Sequence, residues 1–328
     1  MVESVRKKRK SQTSLKGLLF IGDPHVENRQ PGFRKDDYQN VILDKIKWCL
    51  GYAAENSLLP VLLGDLFEKP RENSNWMIGQ LMEILYGTGA IGIYGNHDCA
   101  DPSLTDQDSL ALLIKSDCLR LISANKPWKG ELNGWPVVIG GSSYREAVPK
   151  RYDVELTSDG MLFPETPLVF WITHHDIHVP GYDGGRLRPR EIENVQLLVN
   201  GHIHRRLDPV VRGETTWMTP GNISRRSRSD ANRAHVPSVL QLDVADGAFK
   251  THYVTIPHQP FDQVFHEAVQ AVDVAGEASS FISGLKEMLS RRTASGAGLQ
   301  AFLEEKLVDY DEPVAAEIMS LVKEVEDE

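Results

Sequence analysis

Residues 197–206 read LLVNGHIHRR: a short apolar run, an Asn-Gly turn, two histidines one residue apart, then two arginines. An apolar run of this length reads as a buried strand. In extended chain, positions i and i+2 point the same way, so His202 and His204 can each offer an imidazole toward one place. The strand half of the pattern recurs. LLFIG (18–22), LLPVLLG (58–64), IGIYG (91–95), VVIGG (137–141), LVFWIT (168–173) and VQLLVNG (195–201) all read as buried strands. Between the early runs, residues 37–54 carry a helical stripe at Val41, Ile42, Ile46, Cys49, Leu50 and Ala53, and residues 75–86 and 106–116 behave similarly. TTWMT, SVLQLDV and FKTHYVTI read as later strands joined by short turns. An α/β start followed by a β-rich second half predicts two stacked sheets flanked by helices.

The 328 residues, 41% hydrophobic, suit one large domain with a small appendage. No apolar stretch approaches the ~20 residues that span a bilayer. Residues 1–15, with five consecutive basic residues from Arg6 to Lys10, read as a solvated, disordered tail. Residues 16–258 form the catalytic domain in this reading. Beyond Pro257 and Pro260 the pattern turns helical and acidic, so residues 259–328 are expected to form a small helical region, with helices over 261–273, 277–290, 299–307 and 312–326. Three widely spaced cysteines (Cys49, Cys99, Cys118) suggest neither a disulfide framework nor a zinc knuckle, and fit a reducing cytoplasm. The net charge of −10 hides an uneven distribution: Arg186 to Arg233 holds ten arginines against five acidic residues, while Ala301 to Glu328 holds ten acidic residues against two lysines. Local sign therefore says more about partners than the total does.

Each of five strands ends in polar residues of one kind. LLFIG runs into Asp23-Pro24-His25, VLLG into Asp65, IGIYG into Asn96-His97-Asp98, LVFWIT into His174-His175, and VQLLVNG into His202 and His204. Ligands gather at the carboxyl ends of strands in open α/β sheets. A purely structural account would bury carboxylates and imidazoles without partners, which is costly. Mixed nitrogen and oxygen donors without cysteine suit manganese, iron or zinc better than calcium or magnesium. A carboxylate with two oxygens can bridge two such cations.

The ordered set GDPH, GDLF, GNHD, THH and GHIH resembles the calcineurin-like metallophosphoesterase family over roughly residues 16–256. The resemblance implies an α/β fold, a two-sheet αββα sandwich. It also implies two divalent transition metal ions, most simply manganese. Asp23, His25, Asp65 and His204 would hold one metal, and Asp65, Asn96, His174 and His202 the other. His97 would protonate the leaving oxygen and Asp98 would orient His97. GDLFEKP and GNHD differ from the GDxxDRG and GNHE of the protein Ser/Thr phosphatase branch. GDLF followed by TPGNISRRS (219–227) is similar to the SbcD and Mre-type DNA-repair nucleases, with Asn222 where a serine is usual and Glu68 where Mre-type enzymes usually have histidine.

The function expected is hydrolysis of DNA phosphodiesters, exo- or endonucleolytic, by a hydroxide between the metals. The alternatives are a stand-alone phosphodiesterase or phosphatase for small molecules or nucleotides, and an interaction module whose metal site is vestigial. RLRPR (186–190), Arg205, Arg206, Arg225 and Arg226 are candidate phosphate contacts, which position a backbone without reading sequence. His175 is a further candidate substrate contact, and Cys99 reads as packing. The partners expected are DNA and an SMC-like ATPase of SbcC/Rad type docked through the C-terminal helices. A homodimer is left open, and no membrane partner is expected.

Overall fold

All five residues of strand β1 (Gly17–Ile21) are buried, as a strand covered on both faces requires. It belongs to a computed structural model that describes residues 14–153, 166–182 and 185–266. In chain order there follow α1 (Tyr38–Glu55), β2 (Leu58–Leu62), α2 (Asn75–Leu85), β3 (Ile91–Gly92), α3 (Ser109–Lys115) and β4 (Arg120–Leu121). Then come β5 (Trp128–Leu132), β6 (Trp135–Ser142), β7 (Leu168–Thr173), β8 (Leu197–Asn200), β9 (Leu207–Arg212) and β10 (Thr215–Thr219). The described chain closes with α4 (Asp230–Ala234), β11 (Ser238–Ala245), β12 (Ala248–Thr255) and α5 (Phe261–Val264).

The strands form two mixed six-stranded sheets, ordered β12-β11-β1-β2-β3-β4 and β5-β6-β7-β8-β10-β9. The period-two alternation of β1 assigns its two faces. Leu18 and Phe20 belong to the cluster between the sheets, with Phe170, Ile172, Leu197 and Val199. Leu19 and Ile21 pack instead with Ile42, Ile46 and Cys49 of α1. The outer face of the second sheet carries Trp171, Leu198 and Trp217, covered by Val148, Ile177, Val179 and Ile192. Among the described residues those covering side chains come from non-helical segments.

Local chemistry sets the helix starts. Asp37 caps α1, its carboxylate accepting the Asn40 N–H, and Ser74 Oγ accepts the Met77 N–H at 3.2 Å to start α2. Helix α3 begins at Ser109, later than the spacing predicts, because Asp108 turns back to accept the Thr105 N–H at 2.8 Å. Of the helix expected over 261–273, α5 covers Phe261–Val264; Phe265 is extended and bridges antiparallel to Arg34, and residues 267–273 lie outside the described residues. The chain divides into two units, Met1–His266 and Glu267–Glu328. The expected helices at 277–290, 299–307 and 312–326, like tail residues 1–13, lie outside the described residues. No helix among the described residues is long and apolar enough to cross a membrane.

The sheets position the site through their parallel strands. β1, β2 and β3 run parallel in one sheet, and β6, β7, β8 and β10 in the other. The segments that leave β1, β2, β3, β7 and β8 therefore emerge at common edges, and two contacts join those edges: His174 Nδ1 to Leu63 O at 2.8 Å, and the His202 N–H to Asp23 Oδ1 at 2.8 Å.

Candidate metal centre

Four of the residues at these strand ends have left-handed backbone: Asp23 (φ 42°), His25 (φ 50°), Asp65 (φ 47°) and His202 (φ 69°). That conformation costs a non-glycine residue about 1–3 kcal/mol and persists where the surroundings over-determine it. Here the tight turns aim successive side chains into one volume. The close approach extends to glycine. A Cβ on Gly95 would lie 2.0 Å from Asp65 Oδ1, so only glycine leaves room for that carboxylate.

Three donor groups result, and two of them share Asp65. Asp23, His25, Asp65 and His204 present ligand atoms within 4.8 Å of one another, as do Asp65, His174 and His202. Asn96 joins the second group, with its Oδ1 3.2 Å from His174 Nε2 and 3.0 Å from His202 Nδ1. Asp65 Oδ2 lies 3.1 Å from His174 Nε2 and 3.6 Å from His25 Nε2, so one oxygen faces both groups. Asp65 Oδ1 accepts the His97 N–H at 2.8 Å.

The arrangement calls for positive charge. His174 Nδ1–H donates to Leu63 O, which turns Nε2 toward the oxygens of Asp65 and Asn96. His25 Nδ1 is held by Glu68 Oε2 at 2.8 Å, which leaves its Nε2 facing His204 Nε2 at 2.8 Å. Asp23 Oδ2 is buried and has no hydrogen-bond partner. Such carboxylate–imidazole and carbonyl–imidazole pairs fix the tautomer of a metal-binding histidine and leave its other nitrogen for the ion. The residues thus fit two divalent ions. They could be held by Asp23, His25, Asp65 and His204, and by Asp65, Asn96, His174 and His202.

The electrostatics point the same way. Burial pushes the Asp23 carboxyl up to about 7, with Asp65 adding to the rise and His174 opposing it. Burial, reinforced by Asp65, likewise pushes Asp98 up to about 7. Burial also opposes ionisation of Asp65, but His174 and His25 outweigh it and hold that carboxyl low. Burial would discharge His174, yet the adjacent Asp65 raises it to about 9. Burial holds His202 down at about 4, with His174 adding to it, and His204 at about 3, with His25 adding to it. Both rings are therefore neutral at pH 7, the state in which imidazole coordinates a metal.

His97 stands at the rim, its side chain 37% exposed. Its Nδ1–H donates to Glu68 O at 2.9 Å, leaving Nε2 to exchange a proton with a substrate oxygen. The implied Asp98–His97 contact is corrected by the structure. Asp98 is fully buried and accepts the Phe67 N–H at 3.0 Å and the Gly95 N–H at 2.9 Å. A buried carboxylate needs donors, and these two turns supply them. Asp98 therefore holds the loop while Glu68 orients His97.

The arginines separate by role. Arg226 reaches the centre, donating to Glu68 Oε2 at 2.9 Å and to Glu27 Oε1 at 2.8 Å. Arg225 is buried and turned away, donating to His235 O at 2.8 Å and Gln259 O at 3.1 Å. Arg205 donates to Gly181 O and lies over Tyr182, and Arg206 lies over Tyr253. The contacts of these three are with the protein surface and interior, not with the donor groups. His175 is fixed from both ends, its N–H donating to Asn200 Oδ1 at 3.0 Å and its Nε2–H to Glu146 O at 2.7 Å. In the sequence Glu68 stands out only as a departure from a pattern. Its bond to His25 spans 43 positions and carries no local signal.

The sequence pattern of the calcineurin-like phosphoesterase family matches residues 17–206. The chain belongs to that family, whose members are metal-dependent phosphoesterases. Two solved structures are similar over most of the chain. One is a hypothetical protein from Thermus thermophilus, 14% identical, covering 74% of this chain and 100% of its own, with a TM-score of 0.42. The other is a conserved uncharacterized protein, a predicted phosphoesterase, from Streptococcus pneumoniae. It is 11% identical and covers 76% of this chain and 95% of its own, with a TM-score of 0.34. Among curated proteins nothing matches this chain.

Proposed function

We propose that this phosphoesterase hydrolyses DNA phosphodiester bonds with two manganese ions bound at the shared Asp65 centre. The observation that carries phosphoester hydrolysis is the single carboxylate of Asp65 facing both donor groups. When bound, two divalent cations supply Lewis acidity at the phosphoryl oxygens and acidify a water. The protein contributes the rest. Leu63 O and Glu68 orient His174 and His25. His97, its Nδ1–H tied to Glu68 O, delivers a proton from Nε2 to the leaving oxygen.

DNA as substrate is supported by the resemblance of GDLF and TPGNISRRS to the SbcD and Mre-type nucleases, and by the arginine-rich segment 186–233. The same reading takes the acidic region 259–328 as the docking segment for an SMC-like ATPase. A stand-alone nucleotide or small-molecule phosphodiesterase is the second reading. The internal engagement of Arg225 and the Glu68–Arg226 pair favours it, because each removes positive charge that a DNA backbone would use. Degradation of linear and hairpin DNA by the manganese-loaded protein separates the two. Turnover of nucleotides with DNA untouched would overturn the nuclease reading.

A further inference from the structure

A cavity of 530 Å³ opens between α1 and the segment 256–259, apart from the metal-ligand residues. Arg34, Lys45 and Arg225 line it, at 5%, 7% and 7% exposure. Arg34 has a carboxylate partner, Asp36 at 2.6 Å. Lys45 and Arg225 have none among the described residues and donate only to backbone carbonyls. Lys45 uses one bond, to Ile223 O at 3.0 Å, of the three an ammonium can donate. Buried cations without a counter-charge are unfavourable, and a bound anion removes that cost. Burial, with Arg34 and Arg225 adding to it and Cys49 and Asp36 opposing it, pulls the Lys45 ammonium down to about 7. The remaining lining is mixed: Trp48, Ile256 and Pro257 form an apolar wall, while Asp44, His258 and Gln259 are polar, so three cationic side chains face two carboxylates, Asp36 and Asp44. Its volume lies in the range of sites for small organic ligands.

We propose that this cavity binds a nucleoside monophosphate, the phosphate on Lys45 and Arg225 and the base against Trp48. The site is separate from catalysis but not remote from it. Ile223, which accepts from Lys45, also donates its N–H to Gly22 O at 3.1 Å, next to Asp23.

Isothermal titration of the full chain with adenosine monophosphate, in EDTA to keep the metal centre empty, tests this. The expected result is one site, weakened at least tenfold in Lys45→Met and unchanged in Asp65→Asn. Lys45→Gln replaces the first variant if that one fails to fold. No binding by the wild-type chain, equal binding by the Lys45 variant, or loss of binding in Asp65→Asn would each overturn the proposal. Binding of inorganic phosphate as tightly as the nucleotide would overturn the role of the apolar wall.

Discussion

Glu68 ties three residues of the site together. Its carboxylate holds His25 and Arg226, and its carbonyl holds His97. Burial alone would raise that carboxyl, but His25 and Arg226 outweigh it and hold it at about 2. Glu68→Gln keeps the shape and removes the charge that would make His25, a candidate ligand, more basic. Manganese affinity, measured by competition with a metal-sensitive dye, should fall about 10–100-fold, the usual effect of removing such a supporting carboxylate. His97→Ala should separate the two roles. Hydrolysis of bis-p-nitrophenyl phosphate should fall about 10²–10⁴-fold, the typical worth of a proton-transfer residue, with bound metal unchanged. A metal-free protein from that change would make His97 structural.

At the scale of elements, the strand ends do the positioning, and their closeness leaves little tolerance. A Cβ on Gly22, the residue after β1, would lie 2.2 Å from Gly221 O, a backbone atom that cannot swing aside. Gly22→Ala should lower the unfolding free energy by about 1–3 kcal/mol, as overpacking does, and urea denaturation would read it. No change would show that the two turns can part freely. These elements differ in how plainly they can be read. β1, β2, β7 and β8 are buried throughout, so each reads as an apolar run, closed by Thr173 in β7 and Asn200 in β8. β5 and β9 carry exposed, polar positions such as Glu131 and Asp208, and β4 has two residues, so none shows a run to recognise. The candidate metal ligands are legible because each lies within four residues of the end of its strand. The Asp98 and Glu68 contacts are not, because tertiary packing alone decides which donor reaches which carboxylate.

Across the whole molecule, the two sheets enclose a core while charge is buried at both the metal centre and the cavity beside α1. The cavity makes stability depend on pH. Lys45 titrates near 7 when folded against 10.5 ordinarily, so between those values the unfolded chain binds more protons. Stability from this group therefore rises with pH through that window, by an amount on the order of 3 kcal/mol. In Lys45→Met the unfolding free energy, followed by chemical denaturation from pH 7 to 10, should lose that slope. An unchanged slope would place the titration elsewhere. The central claim is that Asp65 joins two metal sites of one phosphoesterase. The most direct measurement is metal stoichiometry together with bis-p-nitrophenyl phosphate turnover, in wild-type protein and in Asp65→Asn, after manganese loading. Two manganese ions per chain with turnover in the wild type, and loss of both in Asp65→Asn, is the result expected. Full turnover by Asp65→Asn, or a wild-type chain that turns over substrate without binding metal, would contradict it.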